Sequence, residues 1–115
     1  MQTQDNYQTL VSLLLPEGIL DYFDIVNTIS TKEGLSIYLE EKNEPPVGYK
    51  SEDLESKGFL PEIQIQDFPI RTRKAYLCVR RRRWEVKSSG EIISRDWKLV
   101  QTGTRMTKEF AAFLK

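Results

Sequence analysis

The residues best suited to chemistry lie in one stretch, Tyr76-Leu77-Cys78-Val79-Arg80-Arg81-Arg82-Arg83-Trp84. Guanidinium groups are permanently charged, planar forks that match phosphate oxygens, so four in a row offer polyanion binding rather than bond making. As a strand, the stretch sends alternate side chains to opposite faces. Arg81 and Arg83 then follow Leu77 and Val79 on one face, while Arg80, Arg82 and Trp84 follow Tyr76 and Cys78 on the other. Arg71, Arg73 and Lys74 precede the run, and Lys98 and Arg105 follow it, so nine cations are candidate nucleic-acid contacts.

Other chemistries are poorly supplied. The chain has no histidine, so a Ser-His-Asp, Cys-His or histidine acid/base site cannot be assembled. One cysteine without histidine cannot make a tetrahedral zinc site, so no metal is expected. There is neither a GxxxxGK[ST] phosphate loop nor a GxGxxG fingerprint, and no cofactor is expected. Carboxylates are plentiful, but their spacing favours no glycosidase-like or magnesium site. These absences predict a protein that is not an enzyme. Cys78 reads as a small buried strand residue.

The formal charge of zero conceals a divided chain. Residues 1–70 carry four lysines against thirteen acids, a formal −9; residues 71–115 carry thirteen cations against four acids, a formal +9. Two readings follow: a basic face for a polyanion, or two halves that neutralise each other within one fold.

The elements that position these residues fit one α+β domain over residues 1–115, with an acidic part up to 70 and a basic part from 71. Tyr7 to Leu15 is apolar at helical spacing and ends at Pro16, with Ile19 to Phe23 as a second helical turn. Phe23 to Ile29 and Leu35 to Leu39 form a hairpin about Thr31-Lys32-Glu33-Gly34, with Leu35, Ile37 and Leu39 on one face and Ser36, Tyr38 and Glu40 on the other. Glu41 to Leu60, with Pro45-Pro46, Gly48 and Gly58, reads as a long loop. Ile63 and Ile65 alternate with Gln64 and Gln66 before Asp67-Phe68-Pro69 turns the chain.

Lys74 to Lys87 is the longest strand candidate and turns at Ser88-Ser89-Gly90 into Glu91 to Val100. A Ser88-to-Gly90 loop places Arg82 opposite Asp96 and Arg81 opposite Trp97. A Ser89-Gly90 loop places Arg83 opposite Asp96, with Arg82 and Trp84 facing Trp97 and Arg95. Either register stacks arginines on tryptophans, so Trp84 and Trp97 brace the ribbon. The structural alternative is a well-made ribbon with no ligand. Thr104 is placed to cap a last helix from about Met106 to Leu114, whose Phe110, Phe113 and Leu114 form either core or a partner-docking face. The best apolar run, Leu10 to Leu15, falls short of the roughly 18 residues of a membrane helix. Met1 to Tyr7 do not resemble a signal peptide, so the expected compartment is the cytoplasm.

Asp67-Phe68-Pro69-Ile70-Arg71 and Ala75 to Trp84 resemble the zinc-ribbon region that opens ISL-type insertion-sequence transposases. Leu15-Pro16-Glu17-Gly18-Ile19-Leu20-Asp21-Tyr22-Phe23 and Gly103-Thr104-Arg105-Met106-Thr107-Lys108-Glu109-Phe110 are similar to the ISAon-type branch, in which the N-terminal region is a separate protein. The resemblance covers nearly the whole chain. One departure is plain: Val86, Lys87 and Ser88 to Glu91 stand where a cysteine pair is expected. The resemblance therefore implies antiparallel hairpins like a zinc ribbon without zinc, ordered by packing of Trp84, Trp97, Ile92 and Val86. It also implies that strand cleavage belongs to a catalytic transposase subunit.

The expected function is to recognise or hold the element's terminal double-stranded DNA for that subunit. The alternative is an adaptor that docks on the catalytic subunit without touching DNA, and a third reading is an inactive remnant. No membrane partner is expected; a homo-oligomer is compatible with the sequence.

Overall fold

The computed structural model describes residues 6–95 and 106–114. Two helices come first, α1 (Asn6–Leu14) and α2 (Ile19–Tyr22), followed by strands β1 (Phe23–Ser30) and β2 (Gly34–Glu41). A single 3-10 turn (Ser51–Asp53) leads into β3 (Leu54–Phe59), β4 (Ile63–Ile70), β5 (Arg73–Arg80), β6 (Arg82–Val86) and β7 (Ile92–Ile93), and α3 (Lys108–Phe113) closes the described chain. The class is α+β, as expected.

The strands form two sheets. The larger has the order β1-β2-β5-β4, in which two antiparallel hairpins lie side by side through one parallel pairing, Gly34↔Lys74 to Glu40↔Arg80. Alternation does the sorting. Ile37 and Leu39 of β2, Leu77 and Val79 of β5 and Ile65 of β4 turn to one face, where Leu15 and Ile19 from the α1–α2 region and Phe23 at the start of β1 cover them. Ser36, Tyr38 and Glu40 take the opposite face and are only half-buried, as their spacing predicts. The smaller sheet, β3-β6-β7, has its own core of Leu54, Trp84 and Val86, with Ile93 against it.

Several expectations need correction. The 41–60 segment is not all loop: Leu54–Phe59 is an edge strand of the small sheet. Only Leu54 of that strand is buried, so it carries no alternating pattern to betray it. Asp67-Phe68-Pro69 does not turn the chain either. It continues β4 through a register shift between Asp67 and Ile70, and the turn falls on Arg71 and Thr72. Proline is tolerated there because β4 lies at the sheet edge.

The long strand proposed for 74–87 breaks at Arg81 and passes from one sheet to the other. The following hairpin pairs Trp84 with Ile93 and Glu85 with Ile92, which is neither expected register. Its tip is closed by Gly90 N–H donating to the Val86 carbonyl at 2.7 Å, with Gly90 at φ 75°. The last helix starts at Lys108 rather than near Met106. Its cap is Thr107, whose hydroxyl accepts the Phe110 N–H and donates to buried Asp67 at 2.8 Å. Thr104, Asp96, Trp97, Lys98 and Arg105 lie outside the described residues. Among the described residues no helix is long and apolar enough to cross a membrane.

Candidate nucleic-acid interface

The arginine run divides into paired and exposed members. Arg80 faces Glu40 across the parallel β2–β5 pair, and its Nη1 donates to Glu40 Oε2 at 2.6 Å. Arg82 is bound three ways. Its backbone N–H donates to Glu41 Oε1 and its Nε to the Glu41 carbonyl, both at 2.9 Å, and its Nη1 donates to Ser56 Oγ at 2.8 Å. Both guanidinium groups lie over the Phe59 ring, 4.3 and 4.7 Å from its centroid. Arg81 is half-buried, and its carbonyl accepts the Leu60 N–H at 2.7 Å. Of the four, only Arg83 is exposed.

Among the described residues Arg80 and Arg82 stack on Phe59 rather than on Trp84. Trp84 is a core residue, and Trp97 lies outside the described residues. Of the other packing residues expected to replace a metal, Val86 is buried, whereas Ile92 is half-exposed and Ile93 takes the inward place.

Glu41 organises this junction. It is 2% exposed, and its Oε2 lies 3.5 Å from Arg95 Nε. Arg95 also donates through Nη2 to the carbonyls of Glu44 and Pro45 and lies over the Tyr22 ring. Lys57 bridges Glu55 and Glu85 on the small sheet. The bond to Glu55 holds the Glu55 carboxyl below its usual range and the Lys57 ammonium above its own. Ion pairs between the acidic and basic parts thus hold Arg80 and Arg95, whereas the Arg82 guanidinium is held by a backbone carbonyl and a hydroxyl.

A different group of cations converges at one end of the larger sheet. Because Gly34 is level with Lys74, the β1–β2 and β4–β5 turns are neighbours. They bring Lys32 beside Arg71, Arg73 and Lys74, with Glu33 as the carboxylate in the turn. Arg73 ties the turns together by donating from Nε to the Thr31 carbonyl at 2.8 Å. All four cations are exposed, and Lys32, Arg71 and Lys74 have no ion-pair partner among the described residues. Arg71 holds a left-handed φ of 59°, which aims the chain sharply around the turn.

An open depression of about 630 Å³ runs inward from this end over the sheet face that carries Ser36, Gln64 and Tyr76, and Lys32, Glu33 and Lys74 also line it. Sequence reasoning missed Lys32, which is distant in sequence and joins the site only through the parallel pairing. Tyr76 opens the stretch that the sequence singles out but is given no contact of its own there, although the polar alternation of Ser36-Tyr38-Glu40 and Gln64-Gln66 was visible.

The remaining candidates lie elsewhere. Phe110 is buried against Phe68, with ring centroids 5.4 Å apart, so it serves the core rather than an exposed docking face. Phe113 stays 70% exposed while touching Phe68 edge-on, and Leu114 is also exposed. Cys78 is buried beneath the open face, where burial and the Glu62 charge push its thiol up. Among the described residues no cluster of three or more cysteine, aspartate or glutamate side chains is arranged to hold a metal ion. Compared with protein-family models, curated proteins and solved structures, the chain matches none.

Proposed function

We propose that this chain is a non-catalytic, cytoplasmic DNA-contacting module: the N-terminal region of an insertion-sequence transposase that holds terminal DNA for a separate catalytic subunit. The observation that carries the DNA contact is the convergence of Lys32, Arg71, Arg73 and Lys74 on adjacent turns. Exposed cations without ion-pair partners among the described residues keep their charge available to phosphates. Arg80, by contrast, is paired with Glu40, and the Arg82 guanidinium is tied to the Glu41 carbonyl and Ser56. The basic contact is thus assigned to the sheet end, with Arg83 as a separate exposed cation. The transposase assignment rests on the sequence resemblance alone.

The test is fluorescence anisotropy of the purified chain on a labelled duplex of the element's end and on a scrambled duplex at two salt concentrations. Salt-sensitive binding that prefers the end sequence supports the reading; absence of binding at low salt overturns it for the isolated chain.

The adaptor reading has its own support in exposed apolar side chains. Leu10, Leu13 and Leu14 of α1 face solvent, as do Phe113 and Leu114. An adaptor contact of this kind is weakly salt-dependent. Phe113→Ala with Leu114→Ala abolishes capture of the catalytic subunit if this reading holds, and leaves any DNA binding intact.

A further inference from the structure

We infer that the open face beside the basic end takes an unpaired nucleotide, so that the preferred ligand is single-stranded rather than duplex DNA. This rests on the proposed DNA contact and specifies its ligand. Tyr76, Ser36 and Gln64 line the depression together with Lys32, Lys74 and the Glu33 carboxylate. An aromatic ring offers a stacking surface for any base, an amide and a hydroxyl can bond to base edges, and ammonium groups can meet the adjoining phosphates. The depression, at about 630 Å³, falls within the usual size of small-ligand sites.

Gly34 keeps this space open. A side chain there would have its Cβ 3.9 Å from Tyr76 Cε2 and 3.5 Å from the Lys74 carbonyl, ordinary contacts that impose no strain. Glycine at this position therefore leaves the flank of the tyrosine ring uncovered.

Sheet geometry disfavours the duplex. The major groove, about 12 Å wide, admits a helix or a two-stranded ribbon. Tyr76 lies on an interior strand, with β4 on one side and β2 and β1 on the other. At about 4.8 Å between strands, four strands are too wide to enter the groove. A base stacked within a duplex cannot reach that ring, whereas a splayed base can. The small sheet offers no ready substitute, since β3 flanks the β6–β7 pair and Arg82 is tied to Glu41.

The experiment compares anisotropy titrations of the full chain with a short labelled oligothymidine and with a duplex of equal length. Tighter binding of the single strand is expected. Tyr76→Ala should weaken it by roughly 5- to 150-fold, the range for losing one stacked base, while Tyr76→Phe retains it. Gly34→Leu should fill the depression and give a comparable loss with an unchanged melting temperature, separating occlusion from unfolding. Equal or tighter duplex binding, or single-strand affinity indifferent to Tyr76→Ala, overturns this inference and leaves the basic-end contact standing. Absence of salt-sensitive binding to either DNA overturns both.

Discussion

Arg82 and Glu41 meet twice, once through the Arg82 backbone N–H on Glu41 Oε1 and once through Arg82 Nε on the Glu41 carbonyl. The two bonds join the end of β2 to the start of β6 where the chain leaves one sheet for the other. They also explain why a continuous run of arginines does not form a continuous basic stripe. Arg80 and Arg82 share a strand face in the alternation and reach Glu40, Glu41 and Phe59, whereas Arg83 points away to solvent.

Replacing Glu41 by alanine leaves the Arg82 backbone N–H without its acceptor, spares the bond from Arg82 Nε to the residue-41 carbonyl, and removes the carboxylate beside Arg95 in a water-poor site. Breaking a buried pair in this way costs about 3–5 kcal/mol. Urea unfolding should show the loss as a lower midpoint, with Arg83→Ala as a control that stays within about 0.5 kcal/mol of the parent. A Glu41→Ala midpoint equal to the parent's would mean that the junction is not a stabilising element.

Trp84 fills the core of the small sheet, and its indole N–H is buried without a hydrogen-bond partner among the described residues. Trp84→Ala should cost about 3–5 kcal/mol through the cavity it leaves. Trp84→Phe keeps much of the volume and removes the unsatisfied donor, so its cost should stay below about 2 kcal/mol. Thermal unfolding followed by circular dichroism orders the two; equal losses would show that the indole's polar edge has a partner after all.

Local patterns carried much of this architecture, and the long-range pairing carried the rest. The β1–β2 hairpin was legible because Leu35, Ile37 and Leu39 alternate with polar residues and Gly34 marks the turn. The strand Leu54–Phe59 was not, because an edge strand with one buried residue needs no alternation. The charge division signalled either mutual neutralisation or a basic face; Arg80 and Arg95 are paired with acids, while Lys32, Arg71, Arg73 and Lys74 are exposed at one end of the larger sheet. Which cations belong to which depends on Glu40↔Arg80 and Gly34↔Lys74, a parallel pairing between segments forty residues apart. No local window contains that information. The same pairing adds Lys32 to a site whose other cations were named from sequence.

Arg71 allows stability and binding to be separated. Its φ of 59° is disfavoured for a residue with a Cβ and open to glycine. Arg71→Gly should therefore keep or raise stability, by up to about 1 kcal/mol, while removing one cation from the basic end. If that cation meets a phosphate, the slope of log K against log salt falls by about 0.7 for single strands or 0.9 for duplex. An unchanged slope in a fully folded variant would remove Arg71 from the interface.

Cys78 supplies a pH test. Burial, reinforced by the Glu62 charge and partly opposed by a hydrogen bond from Tyr38, raises its thiol above the ordinary value of 9.0. The folded state therefore holds the thiol proton more tightly than the unfolded state. This contribution is fully present below the unfolded pKa and is lost as pH rises through the raised folded pKa. The difference in urea stability between the parent and Cys78→Ala should be constant near neutral pH and shift against the parent in alkaline solution. At neutral pH the buried thiol should react slowly with a disulfide reagent until urea unfolds the chain. Rapid labelling of the native protein, or a difference flat through the alkaline range, would show that Cys78 is open to solvent.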